Sequence, residues 1–470
     1  MEVLRVLVAV GVLHLCLVVG SDQDNDSLLA FLHRNNEDPV TTERMLRKTG
    51  HVSPFQDPCY VDVAPPAGDD VPCGEGLCRC RHTVANCSFR TAKVSYVPKL
   101  PSSVTELFFT HNTLLSIDRD DFFQNVTDIE FLDLSFNYLT YVSPGAFRHL
   151  KKLKTLILIA HYMTYDTLAP VLSITTLTFL DISYSVTGRL GTPPDDLFHR
   201  YPLVHLETIC LRYVGISHLN MAVFRPLGRL RNVQLTGNLL NDETLHTDFL
   251  PQLTGSIVLT ENSFTQFLET CRGGVSLLPN LTWLDLSTNP LKALLKNHWM
   301  SSFAYTSICL PGLKYLSLWD TYLTEVEKDT FSQKAFPSLE ILSLRGNNML
   351  TMAGQFAFQN PSLQAFSLQS CGIDFAADIV HAECFAGCPN MVAIFLQNND
   401  FRDVTEDKFN RLFRQVTRLG VLSLTSTRIG DIKAGMFTNF TSLQVLRLNV
   451  NRLTEIPDGV FSTGTASECK

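Results

Sequence analysis

The sequence has little of what membrane domains, nucleic-acid-binding surfaces and common enzymes require. After residue 20, no segment approaches the roughly 20 consecutive apolar residues of a membrane span. Lys and Arg total 38 against 46 Asp and Glu, a formal net charge of −8, and no basic stripe appears. We therefore expect no nucleic-acid partner. The Gly-x-Ser-x-Gly, phosphate-loop and His-Glu-x-x-His signatures are also absent, so the sequence predicts no catalysis and no cofactor.

Metal ligands at suitable spacing are lacking as well. Cys384 and Cys388 lie close to His381, but four ligands are not present, and we expect no metal site. Cys388 occupies a position usually held by Leu and is interpreted as a buried apolar residue. A strained Cys384–Cys388 bridge is the less favoured alternative, and Cys371 is interpreted as a buried thiol.

The first 20 residues have the composition of a secretory signal peptide. Arg5 precedes an apolar run from Val6 to Val19, and the small Gly20 precedes a polar segment. An uncleaved membrane anchor is the alternative. The chain has 13 cysteines, and all except Cys16 lie beyond this segment, in keeping with an oxidising compartment. Five sequons agree with a secreted glycoprotein: Asn25, Asn86, Asn125, Asn280 and Asn439.

Residues 21–58 are polar and acidic, without sustained periodicity, and predict a flexible N-terminal arm. Arg44 and Arg47 have the Arg-x-x-Arg spacing that proprotein convertases cleave, although an exposed linker without cleavage is the favoured interpretation.

A single pattern, Leu-x-x-Leu-x-Leu-x-x-Asn-x-Leu, recurs from residue 104 to residue 461. Alignment on the Asn position, here called the Asn slot, gives about fourteen units of 24 to 32 residues. The slot is filled by Asn112, Asn137, His161, Ser185, Val214, Asn238, Asn262, Asn289, Thr321, Asn347, Cys371, Asn399, Thr427 and Asn451.

The chemistry of this pattern predicts the fold. Leu-x-Leu is a period-two strand with both leucines inward, and stacked units pair such strands into one parallel sheet. The Asn slot lies at the turn that leaves the strand, where an amide can bond to unpaired backbone groups. We therefore predict an α/β leucine-rich-repeat solenoid (a horseshoe), with the sheet on the concave face and loops and short helical turns on the convex face.

The cysteine spacing Cys73-x4-Cys78-x-Cys80-x6-Cys87 resembles the N-terminal flanking module of extracellular leucine-rich-repeat proteins. This resemblance implies a cap over residues 59–103 with the pairs Cys73–Cys80 and Cys78–Cys87. The repeats resemble the typical extracellular subclass, and their uneven lengths are similar to Toll-like receptor ectodomains, which implies recognition in innate immunity.

The C-terminal end departs from that family. Residues 462–470 form a short polar tail without a recognisable cap, so the last repeat is expected to present an open apolar end. Either the chain is part of a longer parent, or copies associate through this end, with Cys469 able to form an intermolecular disulfide. The sequence assigns no pairing to Cys59, Cys210, Cys271, Cys309, Cys384 and Cys469, although a Cys271–Cys309 bridge would brace the longest unit.

Two groups of outward-pointing residues are candidate ligand-binding sites, because large apolar, aromatic and basic side chains on a solvent-facing sheet mark contact surfaces. The first contains Phe131, Phe179, Arg212 and Tyr213, and the second contains Trp283, Tyr315, Trp319, Asp320 and Arg345. The alternative is that glycans or neighbouring side chains cover these rings.

The sequence favours an extracellular recognition protein that binds protein or microbial ligands. An extracellular-matrix or cell-adhesion protein is the alternative. Glycosaminoglycan binding needs a dense basic patch, and the concave positions supply only Arg212, Arg345 and Arg447.

Overall fold

Three-residue strands, one in each repeat, are the main regular structure of this chain. The computed structural model describes residues 5–9, 12–16, 58–59, 70–89, 96–185, 190–291, 308–324, 331–348, 358–378, 380–458 and 460. The chain divides into two units, Asp57–Ser263 and Phe264–Lys470 together with Met1–Gln56. We call them the first and second units.

The first unit begins with the cap and continues as a parallel sheet. In the cap, Val71–Cys73 and Val84–Asn86 both pair antiparallel with Cys78–Arg81. Val84–Asn86 then pairs parallel with the first repeat strand. The repeat strands are Glu106–Phe108, Phe131–Asp133, Thr155–Ile157, Phe179–Asp181, Thr208–Cys210, Asn232–Gln234 and Ser256–Val258, each parallel to the next.

The second unit contains a parallel sheet of the same kind. Its strands are Trp283–Asp285, Tyr315–Ser317, Ile341–Ser343, Ala365–Ser367, Ala393–Phe395, Val421–Ser423 and Val445–Arg447. The described residues of the two units thus provide fourteen repeat strands, each just before one of the predicted Asn slots. The fold is the predicted leucine-rich-repeat solenoid.

The remaining elements are short. Helices span Ala169–Leu172, Leu197–Arg200 and Glu406–Phe413, with a 3-10 turn at Met221–Phe224. Two-residue strands pair Ser116–Ile117 with Tyr141–Val142, Leu219–Asn220 with Leu245–His246, and Cys271–Arg272 with Val275–Ser276. Arg5–Ala9 and Val12–Cys16 form an antiparallel pair. No helix in the described ranges is long and apolar enough to span a bilayer.

The middle residue of each repeat strand points into the core, as the leucine spacing predicts. Leu132, Leu156, Leu284 and Leu342 are all fully buried. Phenylalanines from the opposite wall stack beneath them, and in the second unit Phe358 lies 5.1 Å from Phe366 between ring centroids. Because each repeat buries its leucines only against its neighbours, the core is continuous within a unit.

The Asn slots form the predicted ladder of buried amides. In the first unit, Asn238 Nδ2 donates to the carbonyls of Leu211 and Leu235 at 2.8 and 2.9 Å. Its Oδ1 accepts the N–H groups of Val214, Gly215 and Ile216 at 3.0 to 3.3 Å. One amide therefore ties two successive turns together, including the turn in which Val214 supplies no polar side chain.

The cap contains the two pairs that the resemblance implies, Cys73–Cys80 and Cys78–Cys87, with S–S distances of 2.05 and 2.00 Å. The structure also pairs Cys271 with Cys309, across the longest unit. Cys59, to which the sequence assigns no partner, pairs with Cys210. Cys371, Cys384 and Cys388 are buried free thiols. This agrees with the interpretation of Cys371 and Cys388 as buried residues, and the alternative Cys384–Cys388 bridge is not formed. Cys469 and the C-terminal tail lie outside the described residues.

His161 is an exception in the ladder, and we expect it to make the first unit sensitive to acid. Its buried Nδ1 accepts the N–H of Leu139 at 2.9 Å, and its Nε2 has no hydrogen-bond partner within the described part of the chain. Burial lowers the pKa of His161 from 6.5 to about 4. Protonation would also place a proton on Nδ1 opposite a donor.

The unfolded chain therefore binds this proton more readily than the folded chain. Stability from neutral His161 is fully present above pH 6.5 and is lost as pH falls toward about 4, by about 3 kcal/mol. His161→Asn should remove this part of the pH dependence, because asparagine fills the slot without titrating. Melting temperatures of both proteins at pH 7 and pH 4.5 test this. Equal losses on acidification would contradict it.

Candidate ligand-binding surface

The outward face of the sheet, defined as the side turned away from the leucine core, carries the first and third residues of each repeat strand. Phe131, Trp283 and Tyr315 lie there as expected, but only 7%, 5% and 3% of their surfaces are exposed. The expectation that these three rings are open to solvent is therefore wrong. A ligand could contact only the small exposed fraction of each ring.

The burial reflects two apolar clusters on the outward face. The first cluster, in the first unit, contains Phe108, Phe131 and Ile157, with the partly buried Val84, Ile159 and Phe179 packed against it. The second cluster, in the second unit, contains Trp283, Tyr315, Ile341, Ala365, Ala393 and Phe395. Parallel strands bring side chains from equivalent positions side by side, so apolar residues in successive repeats pack into rows.

Arg212, a predicted contact residue, is engaged in an ion pair. Its Nη2 donates to Asp181 Oδ2 at 2.9 Å, and the side chains of Arg212 and Asp181 are 16% and 1% exposed. Burial raises the pKa of Asp181 above its usual value even though Arg212 opposes this shift. The Arg212 guanidinium also lies 5.7 Å from the Tyr184 ring centroid. The positive charge of Arg212 is thus largely neutralised by Asp181 within the protein.

The residue before each Asn slot has a left-handed backbone conformation, a feature that the sequence pattern did not reveal. All fourteen have φ between 51° and 73°. Twelve are not glycine: His111, Phe136, Ala160, Tyr184, Tyr213, Glu261, Thr288, Asp320, Ser370, Asn398, Ser426 and Val450. Bulky residues rarely adopt this conformation. The repeat structure therefore imposes the left-handed conformation on these residues. Their constant position, one residue before the Asn slot, was the sequence signal that could have located them.

In the first unit, aromatic residues at this position form what we call the edge ladder, which consists of His111, Phe136, Tyr184 and Tyr213 together with Phe89 of the cap, where φ is also positive at 59°. His111 stacks between Phe89 and Phe136, with centroid distances of 4.5 and 4.6 Å. Tyr184 stacks on Tyr213 at 4.9 Å. Phe89, Phe136 and Tyr184 are 70%, 38% and 43% exposed, so this edge presents rings to solvent that the outward face does not.

Tyr213, a predicted contact residue, is half-buried and held in place on both sides. Its hydroxyl donates to Glu261 at 2.5 Å. Burial and this hydrogen bond raise the pKa of Tyr213 to about 12. A Cβ atom at Gly237 would lie 2.1 Å from the Tyr213 ring, so only glycine leaves room for the ring to cross the next repeat.

The second unit has a related arrangement around Trp319, which we call the Trp319 patch (Trp319, Asp320 and Arg345). Trp319 is 40% exposed. The Arg345 guanidinium lies 5.7 Å from its ring centroid, within the range of a cation–π contact. Gly346 has φ of +73°, and a Cβ there would approach the ring to 3.2 Å. The Asp320 N–H donates to the Arg345 carbonyl at 2.8 Å.

The nine predicted contact residues thus differ in their access to solvent. Trp319, Asp320, Arg345 and Tyr213 retain access to solvent, whereas Trp283, Tyr315 and Phe131 are buried. Phe179 packs on the first cluster, and Arg212 pairs with Asp181. In the described ranges, no group of three or more His, Cys, Asp or Glu side chains could hold a metal ion.

The predicted glycosylation sites differ in accessibility. Asn125 and Asn280 are exposed, and Asn86 and Asn439 are half-buried. Asn25 lies outside the described residues. Attachment at all five remains a prediction.

Comparison with known proteins agrees with the repeat geometry. A family model for the leucine rich repeat matches residues 102–159, 311–373 and 417–463. The TLR13 chain of the TLR13–ssRNA13 complex superposes with a TM-score of 0.51 at 20% identity, over 79% of this chain and 57% of that chain. This protein is a leucine-rich-repeat solenoid resembling a Toll-like receptor ectodomain.

Relatives by sequence include epiphycan and Tsukushi, as well as a Toll-like receptor. Human epiphycan is 30% identical over 130 residues, 28% of this chain and 38% of epiphycan. Tsukushi of Gallus gallus is 25% identical over 72% of this chain and 80% of its own length. Toll-like receptor 3 of Boselaphus tragocamelus is 24% identical over 60% of this chain and 25% of the receptor. The solenoid thus spans well under half of epiphycan and of the receptor.

Proposed function

We propose that this chain is a non-catalytic, extracellular recognition protein that binds a protein or microbial ligand through its repeat surface, as Toll-like receptor ectodomains do in innate immunity. The Trp319 patch is the observation that carries the proposal. Trp and Arg dominate interface hot spots, and here an exposed ring and a guanidinium are preset by the backbone around Gly346. Little ordering entropy is then spent on binding.

The proposed organisation follows the sequence: a signal peptide at 1–20, an arm at 21–58, a cap at 59–103, repeats at 104–461 and a tail at 462–470. Disulfides in the cap and repeats support an oxidising, extracellular location. We also propose that copies of the chain associate through the C-terminal end. Light scattering with and without reductant tests this association.

A matrix or adhesion role is the second candidate, favoured by the similarity to epiphycan and Tsukushi. Binding to glycosaminoglycan would require free basic side chains on the sheet. Arg212 is already paired with Asp181, and Arg345 and Arg447 lie four repeats apart, so the three arginines do not form a dense basic row. This argues against a polyanion as the ligand and favours the first candidate.

The test is a binding comparison on immobilised protein. Its panel holds microbial cell-wall fragments, single-stranded RNA, secreted proteins, collagen and heparin. Trp319→Ala should lower the affinity for the ligand that binds by about 10- to 100-fold. Its melting temperature should change little, because the ring is partly exposed. Val450→Ala, which trims another exposed apolar residue of the second unit, is the control.

Unchanged affinity of Trp319→Ala for every bound member of the panel would exclude the Trp319 patch as the binding site. Selective binding of heparin or collagen would favour the matrix role instead.

A further inference from the structure

The edge ladder of the first unit has no ring in one of its repeats. At the position before the Asn slot, the first five repeats carry His111, Phe136, Ala160, Tyr184 and Tyr213. Where two neighbouring repeats both have a ring there, the rings stack with centroids 4.6 and 4.9 Å apart. The third repeat has only the methyl group of Ala160. The ladder is therefore interrupted between Phe136 and Tyr184.

The backbone continues without interruption through this position. Ala160 has φ of 63°, close to the 57° of both Phe136 and Tyr184. The Ala160 N–H donates to the Ser183 carbonyl at 3.3 Å, and the second, third and fourth repeat strands pair in register. Phe136 and Tyr184 are therefore separated by two strand spacings, or about 9.6 Å.

A gap of this width accommodates one flat group. A ring placed midway would lie about 4.8 Å from each neighbouring ring, which is the spacing of the ladder and a favourable distance for stacked rings. Ala160 is 8% exposed, whereas Phe136 and Tyr184 are 38% and 43% exposed. We call this gap the Ala160 notch, with Phe136 and Tyr184 as its walls and the Ala160 methyl group as its floor.

Both walls of the notch are held by the repeats beyond them. His111 stacks on Phe136 from the preceding repeat, at 4.6 Å. Tyr213 stacks on Tyr184 from the following repeat, at 4.9 Å, and its hydroxyl donates to Glu261. The two wall rings are thus preorganised, and little ordering entropy is spent when a third ring enters between them.

The charges near the notch favour a neutral ring over a cation or a nucleotide. The Arg212 guanidinium already lies 5.7 Å from the Tyr184 ring centroid, so a second cation on this ring would be repelled. A nucleobase would bring phosphates, which require a basic groove. Arg212 is paired with Asp181, and the residues of the edge ladder include no Lys or Arg. An uncharged aromatic side chain meets neither conflict.

We propose that the Ala160 notch binds one aromatic side chain of a protein partner, which stacks between Phe136 and Tyr184 and completes the edge ladder. An aromatic residue in a preformed pocket is the kind of contact that dominates protein interfaces. The notch lies in the first unit and uses no residue of the Trp319 patch, so this inference and the proposed function can fail separately.

Ala160→Phe tests the proposal by filling the notch from within the chain. Phe136 shows that this repeat position accepts phenylalanine at nearly the same φ, so the variant should fold. Saturation-transfer NMR with N-acetyltryptophanamide is the binding measurement. Ala160→Phe should weaken binding at least about 10-fold relative to the native chain.

Ala160→Ser is the matched control and should bind the probe as the native chain does, because Ser370 and Ser426 occupy the equivalent position in other repeats. Tyr184→Asn is a second variant, which removes one wall and should weaken binding to a similar extent. Asn398 shows that the position accepts asparagine. Melting temperatures of the three variants establish that they are folded.

Three further probes test the class of ligand: N-acetylleucinamide, N-acetylargininamide and single-stranded oligouridylate. Each should bind at least about 10-fold more weakly than N-acetyltryptophanamide. Equal binding of N-acetyltryptophanamide to the native chain and to Ala160→Phe, or no binding to the native chain, would overturn the notch as a binding site. Tighter binding of the arginine or RNA probe, lost in Ala160→Phe, would overturn its assignment to an aromatic side chain.

Discussion

Asn347→Ala should destabilise the second unit by about 3–5 kcal/mol, one of the largest effects of a single side chain in this protein. Asn347 is fully buried. Its Nδ2 donates to the carbonyls of Leu318 and Leu344, both at 2.8 Å. Its Oδ1 accepts the N–H groups of Thr321 and Leu323 at 3.0 Å. Alanine leaves the two N–H groups buried without partners, while the Leu318 and Leu344 carbonyls keep only the Thr321 hydroxyl and the Cys371 thiol as donors.

The expected readout is a fall in the melting temperature of the second unit by about 10 °C, measured by calorimetry. Asn398→Gly is the matched control. Asn398 is exposed, its side chain donates to Ser370 Oγ, and glycine accepts its φ of 58°. The control should change the melting temperature by less than about 3 °C. A similarly small change in the melting temperature of Asn347→Ala would contradict the prediction and would show that water replaces the amide as the hydrogen-bond partner of these backbone groups.

Removing the Cys59–Cys210 disulfide should cost more than removing a disulfide of the cap. The two cysteines are 151 residues apart, whereas Cys73 and Cys80 are 7 apart. Loop-closure entropy predicts a loss of about 5 kcal/mol for the long loop and about 2 to 3 kcal/mol for the short one. The longer loop is costlier because its reduced, unfolded chain has more conformations to lose.

The comparison is between C59S/C210S and C73S/C80S, each with two serines in place of a disulfide. Secreted yield and melting temperature of the first unit should fall further in C59S/C210S. A lower stability of C73S/C80S than of C59S/C210S would contradict this prediction. It would show that the cap stabilises the protein mainly by covering the apolar end of the first repeat, and that this effect outweighs loop entropy.

The repeat and its chemistry follow from the sequence alone. Leu132 and its equivalents lie inward because period-two spacing leaves them no other face. The Asn slots became buried amides because every turn that leaves a strand exposes the same backbone groups. The cap pairs agree with the family resemblance, and the buried thiols of Cys371 and Cys388 with their positions in the repeat. The burial of the leucines, the amides and the thiols depends on contacts between adjacent repeats, which the repeat spacing sets.

Which outward residues face solvent is a property of the tertiary structure. Trp283 and Trp319 are both aromatic residues at outward positions, but one is 5% exposed and the other 40%. Trp283 packs against Tyr315 and the other apolar residues of the second cluster, whereas Trp319 lies beside Gly346 and Arg345, outside that cluster. The left-handed backbone before each Asn slot is also set by the turn and not by residue type. A repeat pattern places side chains in rows, whereas the exposure of each side chain depends on which residues of the neighbouring repeats pack beside it.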